Sequence, residues 1–306
     1  MTITPPPLQS GDTLGVCCPA GAVDAAHMEA MYRQMRQWGF NIKVGKTVGK
    51  SYFKFSATDA ERLAELQAFL DDDNISAIFF ARGGYGTVRI IDELDFTKFR
   101  KKPKWLVGYS DITCLHNHIF SNYKISTLHA HMGSAYQKEK SHSASTESLF
   151  AALQGERHIY KTPTKPLQRT GKAQGPIVGG NLAIISDLIG TASDIETDGN
   201  ILFIEDVSEY RYNIDRMMWQ LLRAGKLDKL AGLIVGSFTD TQDNEIPFGL
   251  TEQEIIYEKV KKFKYPVCYD FPVGHQAHNL AIKIGIPYEL NVERNQVSLT
   301  EIALSA

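Results

Sequence analysis

The sequence predicts an α/β fold built around a parallel β-sheet. Short apolar runs with the length of buried strands alternate with stretches whose apolar residues recur at helical spacing. Strands that alternate with helices in this way form parallel sheets covered by helices on both faces. The 306 residues are 43% hydrophobic and 22% charged, so the chain can bury a large core without disulfides or metals.

The elements of the first half follow this pattern in order. Apolar residues between positions 28 and 38 have helical spacing, and a capping-box pattern at positions 58 and 61 predicts a second helix. The predicted strands of this half are the apolar runs 13–18, 76–81 and 105–108. We therefore expect an α/β domain over residues 1–150.

The second half predicts a separate domain. The polar stretches 137–147 and 161–174 contain few aliphatic residues, and we place the domain junction in this region, with a linker over 151–175. A C-terminal domain is expected over 176–306. Its predicted elements are strands at 201–204 and 231–235, a helix at about 213–223, and a mixture of short strands and turns in the last forty residues.

Charge and cysteine content exclude several classes of partner. The 33 basic and 35 acidic residues give a formal charge of −2, which provides no electrostatic reason to expect nucleic acid or a membrane surface as a partner. The four cysteines form no C-x-x-C pair, and such sparse usage fits a reducing compartment. Neither a signal-peptide pattern nor a membrane-spanning apolar run is present. We expect a soluble, cytoplasmic protein.

Chemically interesting residues follow three of the predicted strands. Ligands bind open parallel sheets outside the carboxyl ends of the strands. The segments 82–86 (RGGYG) and 108–111 (GYSD) and the residue Glu205 all occupy such positions. This shared placement predicts a site at that edge.

Ser110 lies at a predicted strand-to-helix turn. Such a turn exposes the hydroxyl and supplies nearby main-chain N–H groups, as a nucleophile requires. The alternative is a helix N-cap, because Ser followed by Asp-Ile-Thr suits a helix start. Ile112 replaces the second glycine of the G-x-S-x-G pattern. From these residues alone both alternatives stay open.

The glycine cluster at 83–86 has three interpretations: a phosphate loop, a tight turn, or a source of oxyanion-binding N–H groups. The third glycine of a dinucleotide fingerprint is missing, and Pro103 and Lys104 stand where a ribose-binding acid is expected. A nucleotide site is therefore not expected. A plain turn and an oxyanion site beside Ser110 both remain open.

Histidines raise the alternative of a metal hydrolase. Residues 116/118 and 129/131 form H-x-H pairs. The first pair falls on a predicted helix, where a spacing of two separates the rings, and the second pair has no third ligand nearby. No metal is therefore expected. His275 stands in a Pro- and Gly-containing loop (FPVGH), where it is either a catalytic imidazole or a surface histidine.

Two acids follow the strand at 201–204, and either can orient an imidazole. Glu205 comes directly after the apolar run and is anchored by the sheet, whereas Glu209 leads into the next helix. The alternatives are an ion pair with Arg211 or Arg216 and complementation of the helix dipole.

Five segments in order resemble the LD-carboxypeptidases (murein tetrapeptide carboxypeptidases), a family that includes the microcin-immunity peptidases. The resemblance as a whole covers the chain from about residue 12 to its end. The segments are ARGGYGTVRIIDELD at 81–95, VGYSDIT at 107–113, GPIVGGNL at 175–182, LFIEDVSEYRYNIDRM at 202–217 and FPVGH at 271–275. In one departure, the early family motif A-P-S-G reads Cys-Pro-Ala-Gly at 18–21, without the serine hydroxyl.

The resemblance implies a Rossmann-like N-terminal domain, a smaller C-terminal domain containing β-structure, an active site between them, and a homodimer. It implies Ser110 as nucleophile, His275 as base and Glu205 as the orienting acid, with no cofactor. The oxyanion N–H groups would come from Asp111 and Gly84. The candidate substrate-binding residues are Tyr85, Gly180, Asn181 and Glu209.

The implied reaction is hydrolysis of the bond between an L-diamino acid and a terminal D-alanine in muropeptide tetrapeptides during cell-wall recycling. One alternative is an immunity-type peptidase with the same triad that hydrolyses a peptidyl- or aminoacyl-nucleotide antibiotic. Another is a non-catalytic peptide-binding protein, which the presence of all three triad residues argues against.

Overall fold

The computed structural model describes residues 2–137 and 143–303, and it divides into two compact units. The first unit comprises Met1–Glu156 and Leu280–Lys283, and the second comprises Arg157–Asn279 and Ile284–Ala306. A short segment from late in the chain thus returns to the first unit. Part of the polar stretch 137–147, where the junction was predicted, lies outside the described residues.

The first unit is built on a six-stranded sheet with the order β11-β5-β4-β3-β1-β2. The pairs from β5 to β2 are all parallel. The strands of this sheet are β1 (Thr13–Cys17), β2 (Asn41–Val44), β3 (Ile75–Phe80), β4 (Trp105–Gly108), β5 (Thr127–His129) and β11 (Ile282–Ile284), and the last residue of β11 belongs to the second unit. Its helices are α1 (Glu29–Gln37), α2 (Asp59–Asp71), α3 (Thr97–Lys101), α4 (Thr113–Tyr123) and α5 (Ala144–Leu153).

The core of the first unit explains its predicted strands. Side chains of β1, β3 and β4 are almost entirely buried, among them Leu14, Phe79 and Trp105, and they pack with the apolar face of α1. Continuous apolar runs are typical of parallel strands covered on both faces. The predicted α/β class with a parallel sheet is confirmed. The edge strand β2 is mostly exposed, and it therefore lacks an apolar run in the sequence.

The second unit is built on a seven-stranded mixed sheet with the order β10-β9-β8-β7-β12-β13-β6. The pairs between β10 and β7 are parallel, and those between β7 and β6 are antiparallel. Its strands are β6 (Ile159–Pro163), β7 (Gly171–Asn181), β8 (Ile201–Val207), β9 (Gly232–Thr239), β10 (Val267–Cys268), β12 (Pro287–Val292) and β13 (Gln296–Glu301). Its helices are α6 (Leu182–Leu188), α7 (Arg211–Arg223) and α8 (Glu252–Val260).

The stretch 151–175, expected as a linker, contains the end of α5, the strand β6 and the first part of β7. The reason is that β6 is an edge strand and buries only Tyr160. The antiparallel part of β7 likewise exposes polar side chains on one face. These strands therefore resemble a polar connection in the sequence.

The helices are short. The longest that the structure describes, α2 and α7, have 13 residues each. Within residues 2–137 and 143–303, no helix has the length and apolar character needed to cross a membrane.

Candidate active site

The turn after β4 holds Ser110 in an unusual main-chain conformation. β4 ends at Gly108, and Ser110 has a φ of +62° before a 3₁₀ turn leads into α4. This left-handed conformation costs a residue with a side chain about 1–2 kcal/mol, and strained residues concentrate at functional sites. The N-cap position of α4 is occupied by Ile112, so the structure does not use Ser110 to cap that helix.

The glycine loop after β3 packs against this turn. A Cβ placed on Gly83 would lie 3.0 Å from Cβ and 3.1 Å from Oγ of Ser110, so the main chain approaches the serine closely. The carbonyl of Gly83 accepts a hydrogen bond of 2.9 Å from the N–H of Gly21. We predicted Gly84 and Asp111 as oxyanion donors, and that assignment stays a prediction. Sequence reasoning did not single out Gly83.

The side chain of Asp111 ties the serine turn to the glycine loop. It is buried, and its Oδ2 accepts a hydrogen bond of 2.9 Å from the N–H of Thr87. Burial raises the pKa of this carboxyl, although hydrogen bonds from Thr87 act in the opposite direction. Asp111 thus has a structural contact that its predicted role as a main-chain donor did not reveal.

His116 supports the same turn from α4. Its Nε2 lies 2.9 Å from the carbonyl oxygen of Gly108. Burial of the ring lowers its pKa to about 4, so the ring is neutral near pH 7 and Nε2–H donates to the carbonyl. The histidine that we weighed as a metal ligand therefore anchors the end of β4.

The second H-x-H pair packs around Tyr109. The ring centroids of His129 and His131 lie 5.8 Å and 6.4 Å from that of Tyr109. Across residues 2–137 and 143–303, no group of three or more His, Cys, Asp or Glu side chains is arranged to hold a metal ion.

In the second unit, Glu205 and His275 form a close pair. Oε2 of Glu205 lies 2.6 Å from Nδ1 of His275, and it accepts a longer contact of 3.3 Å from the main-chain N–H of the same residue. β8 continues through Glu205 to Val207, and its register with β9 shifts between Ile204 and Asp206. A shift of this kind re-aims side chains, and here Glu205 is fully buried against the imidazole.

The loop that carries His275 is held on several sides. The N–H of Gly274 donates to Oδ1 of Asn279 at 2.8 Å, and Oγ1 of Thr239 donates to the carbonyl of His275 at 2.8 Å. Gly274 has a φ of +110°, and a Cβ there would lie 2.7 Å from Cβ of Glu205. Only glycine combines this conformation with this close approach.

Burial and the contacts with Glu205 act in opposite directions on the pKa of His275. Burial lowers the pKa of His275, but the hydrogen bond and negative charge of Glu205 outweigh it and leave the pKa above its usual value. The neighbouring Asp206 is also buried. Burial, followed by the charge of Glu205, raises the pKa of Asp206 to about 7.

The other predicted residues have different surroundings. Glu209 accepts a hydrogen bond of 3.1 Å from Asn213 on α7. Asn181 caps α6 through the N–H of Ile184 and donates to Oδ1 of Asp206 at 2.8 Å. The remaining two are Gly180 within β7, opposite Ile204, and Tyr85 in the glycine loop, which is 41% exposed.

Arg211 was one of the two arginines considered as ion-pair partners of Glu205 and Glu209. It pairs with Asp243 and Glu252 instead.

The predicted triad is divided between the units, with Ser110 in the first and the Glu205–His275 pair in the second. The predicted nucleophile and the predicted base with its acid therefore belong to different units.

Two family models match this chain, one in each half. A family model described as the LD-carboxypeptidase N-terminal domain matches residues 14–130, and one described as the LD-carboxypeptidase C-terminal domain matches residues 174–290. A probable murein peptide carboxypeptidase of Bacillus subtilis is 34% identical over 290 residues, which are 94% of this chain and 91% of that protein.

Two further relatives are more distant. The microcin C7 self-immunity protein MccF of Escherichia coli is 24% identical over 335 residues, with 98% of this chain and 96% of that protein covered. The crystal structure of muramoyltetrapeptide carboxypeptidase from Oxalobacter formigenes shares the fold with a TM-score of 0.87 at 22% identity, covering 96% of this chain and 100% of that one. With both family models and the 34% identity in agreement, this chain belongs to the LD-carboxypeptidase family.

Proposed function

We propose that this chain is a serine carboxypeptidase that removes the terminal D-alanine from muropeptide tetrapeptides. The observation that carries the proposal is the 2.6 Å contact between Nδ1 of His275 and Glu205. A carboxylate on Nδ1 fixes the tautomer that keeps the lone pair on Nε2, where a general base needs it. Family membership and the name of the Bacillus relative support the substrate class.

In the proposed reaction, Oγ of Ser110 attacks the carbonyl carbon of the L-diamino acid while Nε2 of His275 takes the hydroxyl proton. The tetrahedral oxyanion would be bound by the N–H groups of Asp111 and Gly84. His275 then protonates the amine of D-alanine as the C–N bond breaks, leaving an acyl group on Ser110. Water, deprotonated by His275, hydrolyses that ester and restores the serine.

The test is release of D-alanine from an L-Ala-γ-D-Glu-diamino acid-D-Ala tetrapeptide. Ser110→Ala should fold like the unchanged protein, judged by circular dichroism, and should release no D-alanine above background. Turnover at the unchanged rate in that variant would refute the proposal. Running the assay with lysine and with diaminopimelate at the third position would identify the preferred diamino acid.

The second candidate is hydrolysis of an aminoacyl-nucleotide antibiotic by the same three residues. The match to the microcin C7 self-immunity protein over 98% of this chain favours considering it, although that protein is only 24% identical. An acyl sulfamoyl adenosine offered beside the tetrapeptide separates the two. We expect the tetrapeptide to have the higher kcat/KM.

We also propose that the protein acts in the cytoplasm as a homodimer and without a metal. Within residues 2–137 and 143–303 no cysteine forms a disulfide, and all four cysteines are buried, as suits a reducing compartment. The homodimer rests on the resemblance alone, and light scattering at the assay concentration tests it, with a monomer as the contradicting result. Exhaustive EDTA treatment should leave the rate unchanged, and activity restored by added metal would contradict the serine mechanism.

A further inference from the structure

Arg62 is a buried cation close to the serine turn. Its side chain lies in the first turn of α2 and has no exposed surface. Nη1 donates to the carbonyl of Gly86 at 3.0 Å and also to the carbonyl of Pro19. Nε donates to the carbonyl of Ala57 at 3.3 Å, and Nη2 pairs with Asp59. One guanidinium therefore joins the helix start to two loops that are distant in sequence.

Burial of this cation is costly unless its donors are satisfied, and a buried ion pair adds little stability by itself. The only carboxylate bonded to Arg62 among the described residues is that of Asp59, which is 40% exposed and also pairs with Arg89. Most donors of Arg62 instead meet main-chain oxygens. The planar fork of arginine suits this task of fixing several acceptors in one geometry.

A single peptide group connects Arg62 with the residue after the serine. The carbonyl of Gly86, which accepts from Arg62, and the N–H of Thr87, which donates to Oδ2 of Asp111 at 2.9 Å, belong to the same peptide bond. A hydrogen bond from a cation to the carbonyl strengthens the N–H as a donor. The path from Arg62 to Asp111 therefore consists of two mutually reinforcing hydrogen bonds.

A second path leads to the other side of Ser110. Pro19, which accepts from Arg62, belongs to the loop whose Gly21 donates to the carbonyl of Gly83 at 2.9 Å. Gly83 is the residue whose main chain packs directly against the side chain of Ser110. Arg62 thus restrains both the glycine loop and the neighbour that supports it.

We propose that Arg62 is a positioning residue for Ser110, acting through the Gly86–Thr87 peptide and Asp111. The proposal rests on the proposed role of Ser110 as nucleophile. Loss of the fork should let the glycine loop and the serine turn shift relative to each other. Small misplacements of reacting groups cost up to about 10²-fold in rate, so the effect should appear in kcat and in the reactivity of the serine.

The experiment compares the unchanged protein with Arg62→Lys, which keeps the charge, and Arg62→Gln, which removes it. Each is assayed for D-alanine release and for the rate of labelling by a fluorophosphonate, which bonds phosphorus to Oγ as fluoride leaves. We expect kcat and the labelling rate to fall together by about tenfold or more, while KM changes by less than about threefold. Labelling of Arg62→Lys and Arg62→Gln at the unchanged rate would overturn the proposal.

Lys104 provides a matched control within the same unit. It is also a buried cation, and its Nζ donates to the carbonyls of Phe69 at 3.1 Å and Asp72 at 2.6 Å, at the opposite end of α2. Lys104→Gln should lower the melting temperature without changing kcat or the labelling rate. If Arg62→Gln behaves in the same way, Arg62 is only a structural residue and the proposal is wrong.

A double-mutant cycle tests the path itself. If Arg62 acts through Asp111, the effects of Arg62→Lys and Asp111→Ala should not add. The labelling rate and kcat of the double variant should then lie within about threefold of those of the slower single variant. Fully multiplicative losses would refute the path. Should the Arg62 variants fail to fold, Asp111→Ala decides alone, and labelling at the unchanged rate overturns the proposal. Labelling of Ser110→Ala as fast as the unchanged protein would instead refute the role of Ser110, and with it this inference.

Discussion

Oε2 of Glu205 accepts both Nδ1–H and, at longer range, the main-chain N–H of His275, at 2.6 Å and 3.3 Å. One buried oxygen thus fixes the ring and the loop that carries it. The pair links the end of β8 to a loop 70 residues later in the chain. Because Nδ1 is engaged in this way, proton transfer is left to Nε2.

Glu205→Gln should therefore reduce kcat on the order of 10⁴-fold, because the amide can present a donor to Nδ1 and favour the wrong tautomer. Glu209→Gln is the matched control, since Glu209 lies four residues later and contacts Asn213. We expect Glu209→Gln to act mainly on KM. Turnover of D-alanine under saturating substrate checks both, and a large kcat defect confined to Glu209→Gln would show that the wrong acid was chosen.

The pH dependence of the reaction should report on His275. Glu205 holds the pKa of His275 above its usual value, despite the opposing effect of burial. The imidazole must be neutral to act as a base, so activity is lost as pH falls through this raised pKa. We expect the acidic limb of kcat/KM to have an apparent pKa above about 6.5. A limb centred well below that value would contradict the assignment.

Titration of the imidazole provides a direct check. In Glu205→Gln, the pKa of His275 should fall, because the negative charge of Glu205 that stabilises the protonated imidazole is lost. Burial continues to lower the pKa. The ring Cε1–H resonance measured by NMR reports this pKa. His116, whose burial in the first unit lowers its pKa to about 4, should titrate as before in the same variant. An unchanged pKa for His275 would contradict the pairing.

Gly274→Ala should destabilise the second unit and impair catalysis. The new Cβ would meet Glu205 at 2.7 Å and Oγ of Ser237 at 2.7 Å, in addition to the strain of a φ of +110°. Overpacking costs about 1–3 kcal/mol beyond the backbone strain. Gly249→Ala is the control, because its φ is +87° but a Cβ there meets no atom of the described residues within 4 Å, chain neighbours excluded.

Urea unfolding and kcat measure both effects. In Gly249→Ala the free energy of unfolding should fall only by the cost of the positive φ, about 1–2 kcal/mol, and kcat should be unchanged. Gly274→Ala should lose more stability and also kcat, because its Cβ displaces the acid that orients His275. Equal losses in the two variants would show that Gly274 serves the backbone alone.

The sequence predicted the buried strands well because burial on both faces leaves a continuous apolar run. The run 105–108 coincides with β4 at both ends, and the run 201–204 lies within β8. The edge strands β2 and β6 were missed for the opposite reason, since most of their side chains face solvent. Local hydrophobic patterns depend on the burial of side chains, and edge strands bury few of them.

The contacts of the candidate site join residues that are far apart in the sequence, and local sequence patterns do not predict such contacts. Arg62 stands in an ordinary capping-box helix start, where an arginine is expected at the surface. Its burial depends on carbonyl groups 43 residues earlier and 24 residues later. Gly83 was likewise one glycine of a cluster until Ser110 was placed beside it. The candidate residues could be named from motifs, whereas their supports required the fold.

The buried carboxyl of Asp206 should give the protein a distinctive dependence of stability on pH. Burial, and then the charge of Glu205, raise its pKa to about 7, whereas an aspartate in an unfolded chain titrates near about 4. Between these values only the folded form holds the proton, so the contribution of Asp206 to stability falls as pH rises from about 4 to about 7 and is constant above. Asp206→Asn removes this titration. The unfolding free energy of the unchanged protein minus that of Asp206→Asn should therefore decrease from pH 4.5 to pH 7.5, as measured by urea unfolding.

The control is Asp243→Asn, because hydrogen bonds lower the pKa of Asp243 and confine its effect to pH values below about 4. Its difference should be constant over the same range. A difference for Asp206→Asn that is constant or grows with pH would show that this carboxyl is ionised in the folded protein throughout.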